Sequence, residues 1–316
     1  MFLLAHLSDL HVTQLGGAPP LALLNKRFFG WLSWTLRRAR AHRPEVVEAL
    51  IDDLEGQAPD HIAVTGDLTN VALEQEFRAA ERWLARIGNP ERVSLVPGNH
   101  DAYVRIEAAR SWNRWVDFMG SDSAPAETRH ATSPAIDSLP ASAIEFPTLR
   151  IRGPVALVGL CSALPTALFR ATGRLGPNQI TRLGRMLEEL RARDLFRIVL
   201  IHHPPTDRDV APRRRLVDSA ALREVFRKAG AELVLHGHVH RTRWSEIQGP
   251  DGVIPVAGVR SASDIGEKEV KRAQYHLYRI ERGGRPGNGP GARIHVSIRG
   301  YQRAGRRFVA EAERWL

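Results

Sequence analysis

A second cysteine is missing. Cys161 stands alone among 316 residues, so no internal disulfide can form and nothing demands an oxidising compartment. Long apolar runs are missing as well, none approaching the ~20 residues of a membrane-spanning helix. The opening residues, Met1-Phe2-Leu3-Leu4-Ala5-His6, lack the basic lead and extended apolar stretch of a secretory signal. A cytoplasmic protein is the expectation. Lysine is scarce too: only Lys26, Lys228, Lys268 and Lys271 contribute to the 45 basic residues, and the rest are arginine. The net charge of +10 would by itself suggest nucleic acid or a membrane as partner. The arginines are scattered, however, many beside glutamates, as between Glu188 and Arg193. A solvated basic surface is the simpler reading, and nucleic acid is not an expected partner. Oligomeric state leaves no mark on the sequence.

What is present is an ordinary globular composition, 43% hydrophobic and 25% charged. Short apolar runs alternate with amphipathic ones. Phe2–Leu7, Ile62–Thr65, Val93–Val96, Val155–Leu160, Ile198–Ile201 and Leu233–Leu235 read as buried strands. Pro44–Gly56, Glu74–Ile87, Ile106–Met119, Pro177–Arg193 and Ser219–Ala229 read as helices, two with proline in the first turn. This alternation predicts an α/β fold. From about residue 240 the pattern turns to short strands, Thr242–Ile247, Val253–Val259, Tyr275–Ile280 and Arg293–Ile298, which suggests a second, more antiparallel sheet. Ser121–Leu139 reads as a surface loop and Gly283–Gly291 as a hairpin tip. No repeat or boundary divides the chain, so 1–316 is expected to be one domain.

Five polar clusters each follow one of those strands: Asp9-Leu10-His11, Gly66-Asp67, Gly98-Asn99-His100-Asp101, His202-His203 and Gly237-His238-Val239-His240. Ligands of open α/β sheets sit beyond the carboxyl ends of strands, so these tips should converge. Carboxylates, imidazoles and one carboxamide without thiolate suit Mn, Fe, Zn or Co rather than calcium or structural zinc. Asp9 and His11, two apart on an extended segment, can reach one ion, and His238 and His240 repeat the arrangement. Asp9, His11, Asp67, Asn99, His202, His238 and His240 are too many ligands for one ion and suit two ions sharing a carboxylate. Glycine before Asp67, Asn99 and His238 lets backbone approach without a Cβ in the way. A lone histidine is more often a satisfied core residue, and His6, His42, His61, His130, His276 and His295 are read that way.

This motif series resembles that of the calcineurin-like metallophosphoesterases, from about Met1 to Val259. The resemblance implies a β-sandwich flanked by helices, with a di-metal site at the C-terminal ends of strands. It implies that Asp9, His11 and His240 bind one metal, that Asn99, His202 and His238 bind the other, and that Asp67 bridges them. It also implies a hydroxide between the ions as nucleophile, activated because two metals lower the pKa of bound water and clamp an in-line displacement. His100, next to Asn99, is assigned to stabilising the transition state or protonating the leaving oxygen, with Asp101 orienting it.

Together with His202-His203-Pro204-Pro205, the pattern most resembles bacterial phosphodiesterases, so a small, cyclic-nucleotide-like diester is the expected substrate. Nuclease relatives usually carry aspartate where this chain has Asn70. Leu21–Arg43 complicates the choice. From Leu10 to Pro44 there is no acidic residue, while Lys26, Arg27, Arg37, Arg38, Arg40 and Arg43 are basic. On a helix, Leu24, Phe28, Trp31, Leu32 and Leu36 share one side, with Lys26, Gly30, Ser33, Arg37 and Arg40 opposite. Such a segment, inserted at about 19–43, is either a packed cap over the site or an interfacial helix on an anionic membrane. The second case would make the protein a peripheral membrane phosphoesterase at the inner face, acting on a lipid-linked phosphate. Arg213, Arg214 and Arg215 are read either as flanking the metals and binding a further anionic group or as a solvated loop whose charge aids solubility. A non-catalytic binding module is disfavoured, because no ligand of the series is missing.

Overall fold

The computed structural model describes residues 1–107, 110–122, 144–208, 210–282 and 292–316. The hairpin tip at 283–291 and all but two residues of the loop at 121–139 lie outside these. Two six-stranded sheets face each other with helices on both outer sides. The first holds β1 (Phe2–Leu7), β2 (His61–Val64) and β3 (Val93–Leu95) in parallel, and continues antiparallel from β1 through β10 (Gln274–Arg282), β11 (Ala292–Gln302) and β12 (Arg307–Trp315). The second runs β4 (Thr148–Arg152), β5 (Val155–Gly159), β6 (Phe196–Leu200), β7 (Leu233–His236), β9 (Val253–Gly258) and β8 (Arg243–Gln248), with β5, β6, β7 and β9 parallel.

The layering explains why the early strands read as unbroken apolar runs. Phe2 and Leu4 of β1 face the core between the sheets, together with Val155, Leu157, Phe196 and Ile198 of the other sheet. Ala5 and Leu7 turn the other way, onto α3 (Pro44–Gln57) and α4 (Glu74–Ile87). Ala156, Val158 and Val199 likewise pack on α6 (Pro177–Ala192) and α7 (Ser219–Ala229). A strand buried on both faces has no polar side to alternate with.

Three expectations change. The C-terminal strands do not form a sheet of their own: β8 and β9 complete the second sheet, while β10 to β12 complete the first. Two strands escaped the reading. β4 carries Arg150 with a buried guanidinium that donates to Gly120 O (2.7 Å) and Val93 O (2.8 Å), which breaks its apolar pattern. β12 is a largely exposed edge strand. Within 106–119, the described residues hold only a 3₁₀ turn, Trp112–Trp115, and the short α5, Val116–Met119. The indole N–H groups of Trp112 and Trp115 donate to Asp101 O (2.9 Å) and Phe77 O (3.2 Å), and this anchoring overrides helical periodicity.

The segment expected as a cap is largely helical. A 3₁₀ turn (Pro20–Leu23) leads into α1 (Arg27–Ser33), a π-helical turn (Trp34–Arg38) and α2 (Ala39–Ala41). Trp31, Trp34 and Tyr103 pack over Leu15, Val71 and Leu73. No helix of the described residues is long and apolar enough to cross a membrane.

Candidate metal centre

The five clusters converge at the carboxyl ends of β1, β2 and β3 from one sheet and β6 and β7 from the other. Backbone contacts knit them: Asp9 N–H donates to Gly66 O (2.9 Å) and His11 N–H to Asp67 O (3.2 Å). A Cβ on Gly66 would lie 2.5 Å from Gly98 N and 2.9 Å from His202 Nδ1, and one on Gly237 would lie 2.6 Å from Asp9 Oδ2. Glycine is required there by close approach. The segments are not extended as expected. Asp9, His11, Asp67, His238 and His240 all adopt left-handed backbone, with φ of 55°, 48°, 56°, 71° and 51°. Each such residue costs on the order of 1 kcal/mol. Five of them in one place mark a backbone bent to aim side chains rather than to optimise itself.

Three donor groups result, in each of which the ligand atoms lie within 4.8 Å of one another: Asp9, His11 and His240; Asp67, His202 and His238; and His11, Asp67 and His100, which overlaps the first two. His238 and His240 therefore belong to different groups, because the left-handed backbone at both turns their rings apart. Asp67 Oδ2 stands 3.7 Å from His11 Nε2 and 3.3 Å from His202 Nε2, between the groups. Asn99 Oδ1 is 3.2 Å from His202 Nε2.

Carbonyl groups fix the imidazole tautomers. His11 Nδ1–H donates to Thr69 O (2.9 Å), His202 Nδ1–H to Thr65 O (2.6 Å) and His238 Nε2–H to Arg214 O (3.0 Å). In each ring the other nitrogen is left with its lone pair towards the cluster, as second-shell bonds do for metal-bound histidine. Asp9 Oδ1 and His11 Nε2 are buried and make no hydrogen bond. Buried polar atoms without partners are costly, and a cation is the partner that this all-acceptor set fits. Burial pushes the His202 imidazole down, but Asp67 and Asp9 outweigh it and raise it to about 9. Burial pushes the Asp67 carboxyl up, yet His202, His100 and His11 hold it well below the usual carboxylate range. A proton and a metal ion compete for the same place, and the carboxylates favour positive charge there.

His100 and Asp101 do not form the pair expected of them. Asp101 accepts the N–H groups of Asp67 (2.9 Å), Gly98 (2.9 Å), Leu68 (3.0 Å) and Thr69 (2.9 Å). Its carboxyl is spent on the backbone of two ligand loops, although burial and Asp67 push it up to about 7. The orienter of His100 is Asn70 O, which accepts from Nδ1–H at 2.6 Å. Nε2 then carries a lone pair, and Arg38 Nη1 stands 3.2 Å from it. Burial and Arg38 push the His100 imidazole down to about 3. With Nδ1–H given to Asn70 O, Nε2 of the neutral ring is an acceptor, and Arg38 Nη1 stands equally close, 3.2 Å, to both ring nitrogens. The cationic donor at that point is Arg38, from the cap.

Sequence reasoning missed Arg38 in this role. It also set aside His42, whose ring centroid lies 4.9 Å from that of His11 and 5.8 Å from that of His240 while Ser263 Oγ holds its Nδ1 at 2.8 Å. Neither is detectable locally, since both arrive from an insertion. His203 lies behind the site, bonded through Nδ1 to Ser162 Oγ (2.8 Å), with its ring tilted against that of His238 at 4.4 Å between centroids. His6, His61 and His276 are buried as expected, whereas His295 is half-buried beside Glu313, and His130 lies outside the described residues. Of the arginine triplet, Arg214 reaches the site by donating to His238 O (2.7 Å), Arg215 turns to Val210 O (2.7 Å), and Arg213 is exposed. Asn70 has a physical reason to be an amide: Nδ2 donates to His11 O (3.2 Å) and Thr13 O (3.1 Å), which a carboxylate could not do.

A family model described as calcineurin-like phosphoesterase matches residues 2–242. No curated protein sequence matches the chain significantly. Among solved structures, a dimetal phosphatase from Danio rerio is similar with a TM-score of 0.56 at 12% identity, covering 98% of each chain. A purple acid phosphatase from yellow lupin gives 0.57 at 12% identity over 99% of this chain and 53% of its own. The sulfate thiohydrolase SoxB of Thermus thermophilus gives 0.51 at 17% over 98% and 58%. At these identities the likeness is one of fold.

Proposed function

The chain belongs to the calcineurin-like phosphoesterase family, and from that premise we propose that it is a di-metal phosphodiesterase. The carrying observation is the pair of three-residue donor groups with the Asp67 carboxylate between them. Asp9, His11 and His240 would hold one ion, Asn99, His202 and His238 the other, and Asp67 would bridge. Such ions, when bound, activate water at neutral pH and withdraw charge from the phosphoryl oxygens. The chain's own residues do the rest. The His100 N–H fixes Asp67 Oδ1 at 2.7 Å, so Oδ2 is held in place and would be free for the metals. His238 N–H fixes Asp9 Oδ2 at 3.0 Å and leaves Oδ1 for ligation. Arg38, beside His100, offers guanidinium donors where charge develops on the reacting phosphate.

A diester is preferred on the motif His202-His203-Pro204-Pro205 with Gly98-Asn99-His100-Asp101. The test is chelation followed by reconstitution with Mn, Fe, Zn or Co, and turnover of bis(p-nitrophenyl) phosphate, p-nitrophenyl phosphate and cyclic nucleotides. The diester should exceed the monoester in kcat/KM by about tenfold, a difference of roughly 1.4 kcal/mol in transition-state binding. A faster monoester would reverse the preference, and no metal-dependent turnover at all would reject the reading.

A further inference from the structure

The cap is mounted with its faces reversed from what a water-facing helix should show. Three of its basic side chains turn inward, while Arg37 and Arg40 stay exposed. Lys26 Nζ donates to Thr166 O (2.7 Å), Arg27 donates to Val71 O (3.0 Å) and Ala72 O (2.5 Å), and Arg38 reaches His100. Gly30 lies against Val71 and Tyr103, where a Cβ would come 3.0 Å from Tyr103 Oη. Leucine and phenylalanine turn outward: Leu21 is 81% exposed, Leu24 77%, Leu36 60%, Phe28 and Phe29 46% each and Leu32 39%. A scattered exposed leucine means nothing, but six exposed apolar side chains within sixteen residues, with Phe28 and Phe29 in ring contact, are more than water favours.

A second segment joins it. Phe169, at a loop tip 140 residues away in sequence from Phe29, is 77% exposed and its ring centroid lies 6.0 Å from that of Phe29. It adopts left-handed backbone, φ 63°, a conformation unfavourable for a bulky residue and here rewarded by no burial. Charge identifies the occupant. Arg37 and Arg40 are exposed on the cap, Arg170 follows Phe169, and exposed Arg213 is tied to that loop through Ala171 N–H (2.8 Å to Arg213 O). No acidic residue interrupts Leu10 to Pro44. Apolar side chains ringed by arginines suit the headgroup boundary of an anionic bilayer.

We propose that the cap's outer face, with Leu168 and Phe169, docks on an anionic lipid surface and presents the metal site's mouth to it. Resting on the proposed function, this makes the substrate class an amphiphilic phosphoester whose apolar part stays in the bilayer. Leu36 and Arg38 make the connection, two residues apart on one turn, the first facing outward and the second facing the site.

The test uses the full-length, Mn-loaded protein sedimented with vesicles of phosphatidylcholine alone or mixed with phosphatidylglycerol. Wild type should bind the mixed vesicles at least about tenfold more than the neutral ones, as several arginines near the surface require. A combined Phe28→Ser, Leu32→Ser and Phe169→Ser variant should lose roughly tenfold or more of that binding. Its thermal melting and its turnover of soluble bis(p-nitrophenyl) phosphate should stay at wild-type values. An Arg37→Gln, Arg40→Gln variant supplies the same test through charge, should the first melt early. Wild type that stays in the supernatant, or variants that bind as wild type does, would overturn the docking. So would a wild-type dimer in sedimentation velocity that the triple variant dissolves, since the face would then cover a second copy. Vesicle binding without any soluble diester turnover would reject the proposed function and leave the docking standing.

Discussion

At the scale of single residues, the candidate centre separates groups that could hold ions from groups that hold the loops. Asp101 belongs to the second kind, since four backbone N–H groups point at its carboxylate. Asp101→Asn would set an NH₂ among donors and leave at least one of them unpaired. The expected cost is about 2–4 kcal/mol of stability, with metal content falling alongside. Urea unfolding of wild type and variant would measure it, and an unchanged midpoint would return Asp101 to a purely catalytic role. His100 gives the complementary case. It stands 3.2 Å from Arg38 and would act by placing that guanidinium, so His100→Asn should reduce kcat by ~10²-fold and by equal factors for good and poor leaving groups. Rates on a series of aryl phosphodiesters would show this as an unchanged slope against leaving-group pKa. A steeper slope in the variant would restore the acid.

At the scale of elements, the cap is held by contact rather than by covalent or sheet constraints. Gly30 is what lets α1 lie against Val71 and Tyr103, while the tyrosine hydroxyl donates to Lys26 O (3.4 Å). Gly30→Leu would force about four extra heavy atoms into that seam and lift the helix, overpacking by roughly 1–3 kcal/mol locally. Trypsin should then cut within Arg27–Arg43 several times faster, while the melting temperature of the sandwich moves little and Arg38 loses its place beside His100. Unchanged cleavage would mean that the cap does not rest on this seam. The π-helical turn Trp34–Arg38 lies between the seam and the site, the usual setting for such a turn.

At the scale of the whole molecule, burial of neutral histidines makes the fold sensitive to acid. Burial together with Arg152 and Arg150 pushes His61 down to about 3, and burial with Arg260 pushes His276 down to about 3. His6 is held well below the usual imidazole range by burial and by His276 and His236. In the unfolded chain each would titrate near about 6.5, so between that pH and about 3 the unfolded state binds protons that the folded state refuses. The stability these groups contribute is complete above about pH 6.5 and is lost as pH falls through that window, by up to about 1.4 kcal/mol per unit for each. Urea midpoints of metal-free protein between about pH 7 and pH 4 should fall accordingly. His61→Gln, which can keep a hydrogen bond to Ser94 Oγ (2.8 Å in the native chain), should flatten the slope by one proton. A flat profile in wild type would mean that these rings take up protons while folded.

The α/β class and the candidate side chains that gather at the strand ends were legible in the chain, because both are local properties. An apolar run buried on two faces announces itself, and Asp9, Asp67, Asn99, His202 and His238 each stand just past the end of one. Glycine before Asp67 and His238 was legible too, since close approach of backbone leaves no alternative residue. Which ring nitrogen faces the ions, and that His238 and His240 part company, depends on Thr65 O, Thr69 O, Arg214 O and five left-handed φ angles. Those are supplied by segments far apart in sequence. The same holds for the C-terminal strands, whose sheet membership follows from hydrogen-bond partners that no periodicity records. The cap shows the limit most directly. Its pattern stated that residues 24 to 40 have an apolar and a basic side, and spacing alone says nothing of which side meets the protein. Only the seam at Val71 and Tyr103 and the reach of Arg38 to His100 turned Lys26, Arg27, Arg38 and Trp31 inward and left leucine, phenylalanine, Arg37 and Arg40 facing out.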